Sequence, residues 1–559
     1  MKFIMHLFIC CLVVSGCKSK PSVVTPDSTS EMPFSWDNAT IYFMMTDRFN
    51  NGDKSNDYTH SVDYAPAALS GFMGGDVKGI TQKIKSGYFS DLGVNAISMT
   101  PLVEQVSGSV DGGMGVSYGY HGYWARDWTA LDSRFGTESE VRAMVDAAHE
   151  HNIRVLFDVV ANHTGPVTSS DSKWPEEWVR TGPRCTYTSA ETTINCTLLD
   201  NLPDLKTESQ QEVDLPPFLV EKWKSESRYD QEVKELDDWF EMTGYKRTPS
   251  NYVLKWIVDL IGDYGIDGYR VDAVKHIEND VWQRLWKQGQ KAHKMWKTDH
   301  REAVIDDNDF YMLGEVNYFS ASGGRTYDYG DEQVDFFDGA FTSMINFDFK
   351  GDANKSYEKI FSKYDKLLST EFKGKGLVHC ISCHDDGAPY DLNREQPFES
   401  GTKLLLAPGG VQIYYGDESA RSLTADANGD ASLRSFMNWD ELRVMAQKNN
   451  YTVNDVLIHW QKLGNFRNNH PSIGAGTHKM ISEKPYMFTR TWQSEQGHRD
   501  KVLVGLDMPK GLMTIDVSSI ARDGETVTDT YSGISQTVSE GKVSIDSAHD
   551  IVLFEVVKM

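Results

Sequence analysis

At 559 residues the chain exceeds what one compact core ordinarily holds, so two or three domains are expected. Its 81 acidic against 56 basic side chains leave a formal charge of −25, mostly solvated surface. With no basic excess to displace counterions from phosphates, this argues against a nucleic-acid partner, whereas a neutral polymer or a bound cation is compatible with it.

The N-terminus reads as an address. Lys2 precedes an apolar run over residues 3–14, too short to cross a bilayer as a helix but suited to a signal-peptide core. The run closes on LVVSGC at residues 12–17, which resembles a bacterial lipobox. Residues 1–16 are therefore read as a lipoprotein signal peptide and Cys17 as the lipidated first residue, although an ordinary secretory signal with an incidental cysteine fits the same run. Residues 17–35, rich in Ser, Thr and Pro, form a flexible tether. The expected product is an exported, lipid-anchored cell-envelope protein that meets the membrane only through its anchor. Export favours disulfides, and Cys185 and Cys196, eleven positions apart in a Thr-rich segment, are a reasonable pair. Cys380 and Cys383 have an odd spacing on a strand-like run and are read as core packing on opposite faces, rather than as a bridge or a zinc site.

Along the chain, residues 39–49 (ATIYFMMTDRF) suit a first strand. Residues 51–57 (NGDKSND) crowd carboxylate and amide oxygens around a glycine. Calcium takes six to eight such oxygens, and a plain Asn/Asp/Gly turn has the same composition. Residues 77–92 read as a helix and 94–100 as a second strand. A Gly-rich loop over 108–122 then delivers Tyr120, His121, Tyr123 and Trp124, whose rings suit apolar sugar faces. Residues 138–151 are helical by period, and 153–160 form the nearly continuous apolar run of a buried parallel strand. No clear helix is read again until about Asn251, so residues 164–250 are taken as an inserted subdomain.

An amphipathic run over 251–264 leads into GYRVDAVKH at 268–276. Alternation with period two puts Arg270 and Asp272 on one side of a short strand, where the guanidinium keeps the carboxylate ionised. A buried structural ion pair would read the same way. Helix, strand, helix and strand follow at 281–297, 310–315, 357–368 and 376–382. Residues 402–407 lead into 411–415, and 456–466 supply a last helix. From about 477 the pattern changes to short β-type runs between Gly and Asp turns, an all-β C-terminal domain over 477–559 and most simply a sandwich.

DVVANH (158–163), YMLGEVN (311–317) and VHCISCHDD (378–386) are apolar runs ending in ionisable residues, in the order that sets functional groups at the C-terminal rim of a parallel barrel. With GGDVKGI (74–80), GYHGYW (119–124), LPDL (202–205) and GGVQIYYGDE (409–418), the chain resembles the α-amylase family of glycoside hydrolases, most of all its periplasmic bacterial members. The resemblance implies a (β/α)8 TIM barrel over residues 36–470, with a domain B inserted after the third strand. It implies a retaining, endo-acting α-amylase that hydrolyses α-1,4-glucosidic bonds. Transglycosylation, maltogenic exo-action and non-catalytic glucan binding are the alternatives.

By the same resemblance Asp272 is the nucleophile, Glu315 the acid/base, and Asp385 the third carboxylate that grips sugar hydroxyls. Tyr123 stacks on the ring at the cleavage point, and His121, His163, His384 and Arg270 surround it. Lys275 and His276 reach sugars beyond the cleaved bond. Desolvation at the end of its apolar strand would let Glu315 keep a proton to give. Two calcium sites are implied: Asn162 and Asp204 with the carbonyl of His276, and Asn51, Asp53, Asn56 and Asp57 with Gly74 and Asp76. Cys383 stands where chloride-dependent members carry asparagine, so chloride activation is not expected. The expected partner is an α-glucan, and a monomer is expected.

Overall fold

The computed structural model describes residues 32–59, 65–385 and 387–557. The signal peptide, Cys17 and the tether up to residue 31 lie outside the described residues. Eight parallel strands close into a barrel: β1 (Thr40–Met44), β2 (Ala96–Met99), β3 (Arg154–Val159), β4 (Gly268–Val271), β5 (Tyr311–Gly314), β6 (Ser343–Asn346), β7 (Gly376–His379) and β8 (Gly410–Tyr414). Each pairs with its sequence neighbour, and β8 returns to β1. Every residue of these strands is buried, because helices cover the outside while side chains fill the inside. Ile41, Ala96, Leu156, Leu313, Ile345, Val378 and Cys380 make the inner cluster. Trp36 closes its lower end, stacked 3.8 Å from the Tyr311 ring.

The shell helices begin and end where local chemistry dictates. Helix α1 (Val77–Lys85) is capped by Asp76, which accepts from the Gly79 amide. It stops at the left-handed Gly87, so the single helix expected over 77–92 is two. Helix α2 (Glu138–Glu150) carries a Thr137–Glu140 capping box. Besides a single turn at Glu191–Ile194, the insertion after β3 holds two longer helices that were not expected, α3 (Pro217–Ser225) and α4 (Tyr229–Thr243). Only Leu236, Trp239 and Phe240 of α4 are buried, a stripe too thin to stand out in a charged segment. The Cys185–Cys196 disulfide closes a loop of the same insertion.

Helix α5 (Pro249–Tyr264) ends at Gly265, φ 70°, where an added Cβ would lie 2.1 Å from the Trp296 ring. Helices α6 (Asn279–Asp299), α7 (Tyr357–Ser369), α8 (Pro397–Leu405) and α9 (Val453–Asn469) complete the shell. Beyond them lie β9 (Thr477–Glu483), β10 (Tyr486–Gln493), β11 (Arg499–Leu506), β12 (Gly511–Asp516), β13 (Thr526–Asp529), β14 (Ile534–Thr537), β15 (Lys542–Ser547) and β16 (Ile551–Val556). Six of these form one antiparallel sheet in the order β9-β10-β11-β16-β13-β14, and β12 pairs with β15. Leu503, Ile515, Val543, Val552 and Phe554 share one core between the two sheets. Among the described residues no helix is long and apolar enough to cross a membrane.

Candidate active site

The groups that can do chemistry meet at the C-terminal ends of the barrel strands. Register places Arg270 of β4 beside Asp158 of β3 and Leu313 of β5. Arg270 Nη1 donates to Asp272 Oδ1 at 2.8 Å and reaches both oxygens of Asp158 at 3.0 Å. The expected pairing of Arg270 with Asp272 is therefore present, and a second carboxylate shares the guanidinium. Asp158 also accepts from the Tyr123 hydroxyl at 2.7 Å. Burial pushes Asp158 up to about 7 against the pull of Arg270, with Asp272 adding to the rise.

Glu315 follows β5 and is 6% exposed. Its Oε2 accepts from the Ala273 amide at 3.1 Å, and its carbonyl accepts from the Val274 amide at 3.0 Å. Ala273 turns its amide this way from a left-handed conformation, φ 52°, which costs a non-glycine residue about 1–2 kcal/mol. Burial is the largest cause that lifts the Glu315 pKa to about 8, with the charges of Asp272 and Asp385 adding to it and Arg270 opposing. A carboxyl in that state carries a proton at neutral pH and can give it up.

Asp385 lies beyond β7 with its side chain 40% exposed. Burial works against its ionisation, but His384, Arg270, the Cys383 thiol and Arg434 outweigh that and hold its pKa below the usual carboxylate range. The Tyr123 ring stacks on His384 at 5.2 Å and 12°. His121 Nδ1 accepts from the Tyr123 amide at 3.1 Å, and His163 Nε2 lies 3.1 Å from the Tyr123 carbonyl. Burial lowers the pKa of all three histidines, His384 to about 3, so they act as neutral donors and acceptors. Lys275 Nζ donates to the Asn317 carbonyl at 3.1 Å. His276 Nδ1 lies 2.7 Å from the Thr193 carbonyl, inside the insertion.

Two participants were not anticipated. Asp158 stands as a charge within the apolar run VLFDVV at 155–160, which was a usable signal. Arg434 comes from the segment after β8, donates to the His384 carbonyl at 2.8 Å and gave no local sign of its role. Cys383 is buried and unbridged, as expected, and its Sγ also lies 3.0 Å from Asp385 Oδ1. Cys380 does lie in the inner barrel cluster.

The oxygen-rich clusters differ in what they bring together. One end of the Asn162 amide lies 3.0 Å from the His276 carbonyl and 3.3 Å from Asp204 Oδ1. With oxygen at that end, three oxygens converge as a hard cation requires; with nitrogen there, the amide donates to both. In the first loop Asn51 Oδ1 and Asn56 Oδ1 are buried with no partner among the described residues. Asp57 Oδ1 accepts from Asn51 Nδ2 at 2.7 Å beside Gly74, where a Cβ would meet that oxygen. The Asp76 carboxylate takes the amides of Gly52, Asp53 and Gly79, and Asp53 turns to Ser55 and Lys78. Among the described residues, no three His, Cys, Asp or Glu side chains group to hold a metal.

A parallel eightfold barrel whose rim carries one arginine-paired and one proton-bearing carboxylate is the framework of a glycosidase. The sequence pattern of the alpha amylase catalytic domain matches residues 43–476, and the chain belongs to the α-amylase family of glycoside hydrolases. It is 33% identical over 540 aligned positions to the periplasmic alpha-amylase of Escherichia coli K12, covering 86% of this chain and 73% of that one. A cyclomaltodextrin glucanotransferase of Thermoanaerobacterium thermosulfurigenes is 26% identical, and the chain spans 63% of its length. Among solved structures, an alpha-amylase of Geobacillus thermoleovorans complexed with acarbose shares the fold, with a TM-score of 0.63, 20% identity and coverage of 94% of this chain and all of that one.

Proposed function

We propose that the protein is a retaining, endo-acting α-amylase that hydrolyses α-1,4-glucosidic bonds of starch, glycogen or maltooligosaccharides. The observation that carries this reading is the opposite setting of two neighbouring carboxylates: Asp272 held against Arg270, and Glu315 buried with its pKa raised to about 8. Retention needs one to attack the anomeric carbon while the other protonates the departing oxygen. Glu315 then takes a proton from the water that cleaves the glycosyl ester. Asp385 and the neutral His163 and His384 would hold sugar hydroxyls, with Tyr123 under the ring. Lys275 and His276 would meet the leaving-group sugars.

The naming of the 33%-identical relative supports α-amylase over other specificities. The glucanotransferase relatives favour a second reading, a transglycosylase on the same site. Chromatography of products from starch, cyclodextrin and maltoheptaose, with proton NMR of the anomers, decides. α-Configured products spanning several lengths from the first turnover support the proposal. β-Configured products contradict retention, and cyclic or lengthened products favour transfer.

Calcium is proposed at Asn162, Asp204 and the His276 carbonyl, where it would pin the insertion to the barrel, and at the loop of Asn51, Asn56 and Asp57 with Gly74. It would stabilise the fold there rather than act on substrate. Lipid anchoring through Cys17 and export are proposed from the N-terminal sequence and from the periplasmic relative. Absence of acyl chains on the mature N-terminus by mass spectrometry would refute the anchor.

A further inference from the structure

We propose that Cys383 is a positioning residue of the active site, its thiol holding Asp385 in the orientation in which that carboxylate meets the sugar. The inference rests on the reading of Asp385 as a substrate-gripping carboxylate.

The two residues stand beyond the end of β7, where strand alternation no longer fixes which way a side chain turns. Cys383 is 6% exposed and lines the recess that also holds Arg270, Glu315 and His384. Its Sγ lies 3.0 Å from Asp385 Oδ1, close for a sulfur donor. The direction of that bond follows from the chemistry: a carboxylate only accepts, and an S–H can give. Burial keeps the thiol protonated, which preserves the donor. Cys380, three residues earlier, faces the inner cluster instead and offers Asp385 nothing.

Asp385 needs such support because its side chain is 40% exposed and His384 Nε2 stands off at 3.9 Å. A half-exposed aspartate samples several rotamers, and holding one of them costs side-chain entropy that a fixed donor offsets. The benefit falls in the transition state, where hydroxyl contacts tighten as the ring flattens. An S–H is a weak donor, so the effect is modest beside that of removing a carboxylate.

The test compares Cys383→Ala, which removes the donor, with Cys383→Ser, which keeps one of shorter reach. We expect Cys383→Ala to lower kcat by about 10-fold with little change in KM, the size of one ordinary hydrogen bond. The acid limb of its kcat/KM profile should move to higher pH, because ionised Asp385 has lost a donor. Cys383→Ser should recover most of kcat and return the limb toward its original position. Wild-type kinetics in Cys383→Ala would overturn the inference. So would equal losses in both variants that track a fall in Tm, which would mark the thiol as packing. Asp385→Asn, measured alongside, separates the two layers: if it keeps full activity, the reading of Asp385 fails first. If it is inactive while Cys383→Ala is normal, only the positioning role falls.

Discussion

Ala273 links the two carboxylates on which the proposed chemistry depends. Its left-handed turn follows Asp272 directly and aims an amide at Glu315, so the position of one acid is tied to that of the other. One oxygen of Glu315 accepts that bond, which leaves the other to carry the proton. The proposed mechanism needs the protonated form, so activity should fall as pH rises through about 8, read as the alkaline limb of kcat/KM. Stability carries the same sign. The folded pKa lies above the ordinary 4.5, so the folded state binds more protons and loses stability as pH rises between the two values. Glu315→Gln should therefore raise Tm over wild type by a margin that grows from pH 5 to pH 8. A margin flat with pH would show that Glu315 does not hold its proton. The Arg270–Asp272 pairing was legible because period two needs only a strand. The contact of Cys383 with Asp385 was not legible, because it forms past the end of β7, where alternation no longer fixes direction. Arg434 was not legible at all, since only the closed barrel brings the segment after β8 over His384.

Elements were legible where a long buried run or a distinctive end marks them, and hidden where the run is short or the buried face thin. Strands β3, β4, β5 and β8 are apolar runs or carry distinctive ends. Strand β6 is four residues, SMIN, in an aromatic-rich stretch without alternation, and it was passed over. Helix α4 was missed because fifteen residues expose most of their faces. The junction of α5 and β4 shows what one glycine decides. Gly265 stops the helix in a left-handed turn under Trp296 and so sets where Arg270 and Asp272 emerge. Gly265→Ala should cost about 2–4 kcal/mol, the left-handed penalty plus overpacking against the indole. Urea unfolding of the purified variant checks this, and an unchanged midpoint would mean that Trp296 moves aside without penalty.

At the scale of the molecule, the insertion after β3 contacts the barrel through the same residues that shape the site. His276, one turn past Asp272, bonds to Thr193 of the insertion, and its carbonyl faces Asn162 near Asp204. A cation there would stabilise the folded state by mass action, about 2.7 kcal/mol when present at 100 times its dissociation constant. Chelation should lower Tm, calcium should restore it, and Asp204→Asn should shrink the difference. Equal Tm with chelator and with calcium would instead assign the site to an Asn162 amide that donates to both oxygens. The barrel order and the C-terminal β domain were legible from motif order and from the change of period near residue 477. The path of the insertion was not, because it depends on contacts far apart in the chain.

In the proposed mechanism Asp272 bonds to the sugar while Glu315 moves the proton. Glu315→Gln incubated with an α-maltosyl fluoride should still be glycosylated, because fluoride leaves with little protonation, and the ester should persist without a base to activate water. Mass spectrometry of the quenched, digested protein should place the sugar on the peptide containing Asp272, and Asp272→Asn should take no label. A sugar on any other carboxylate, or an unlabelled Glu315→Gln protein that releases products of inverted configuration, would contradict it.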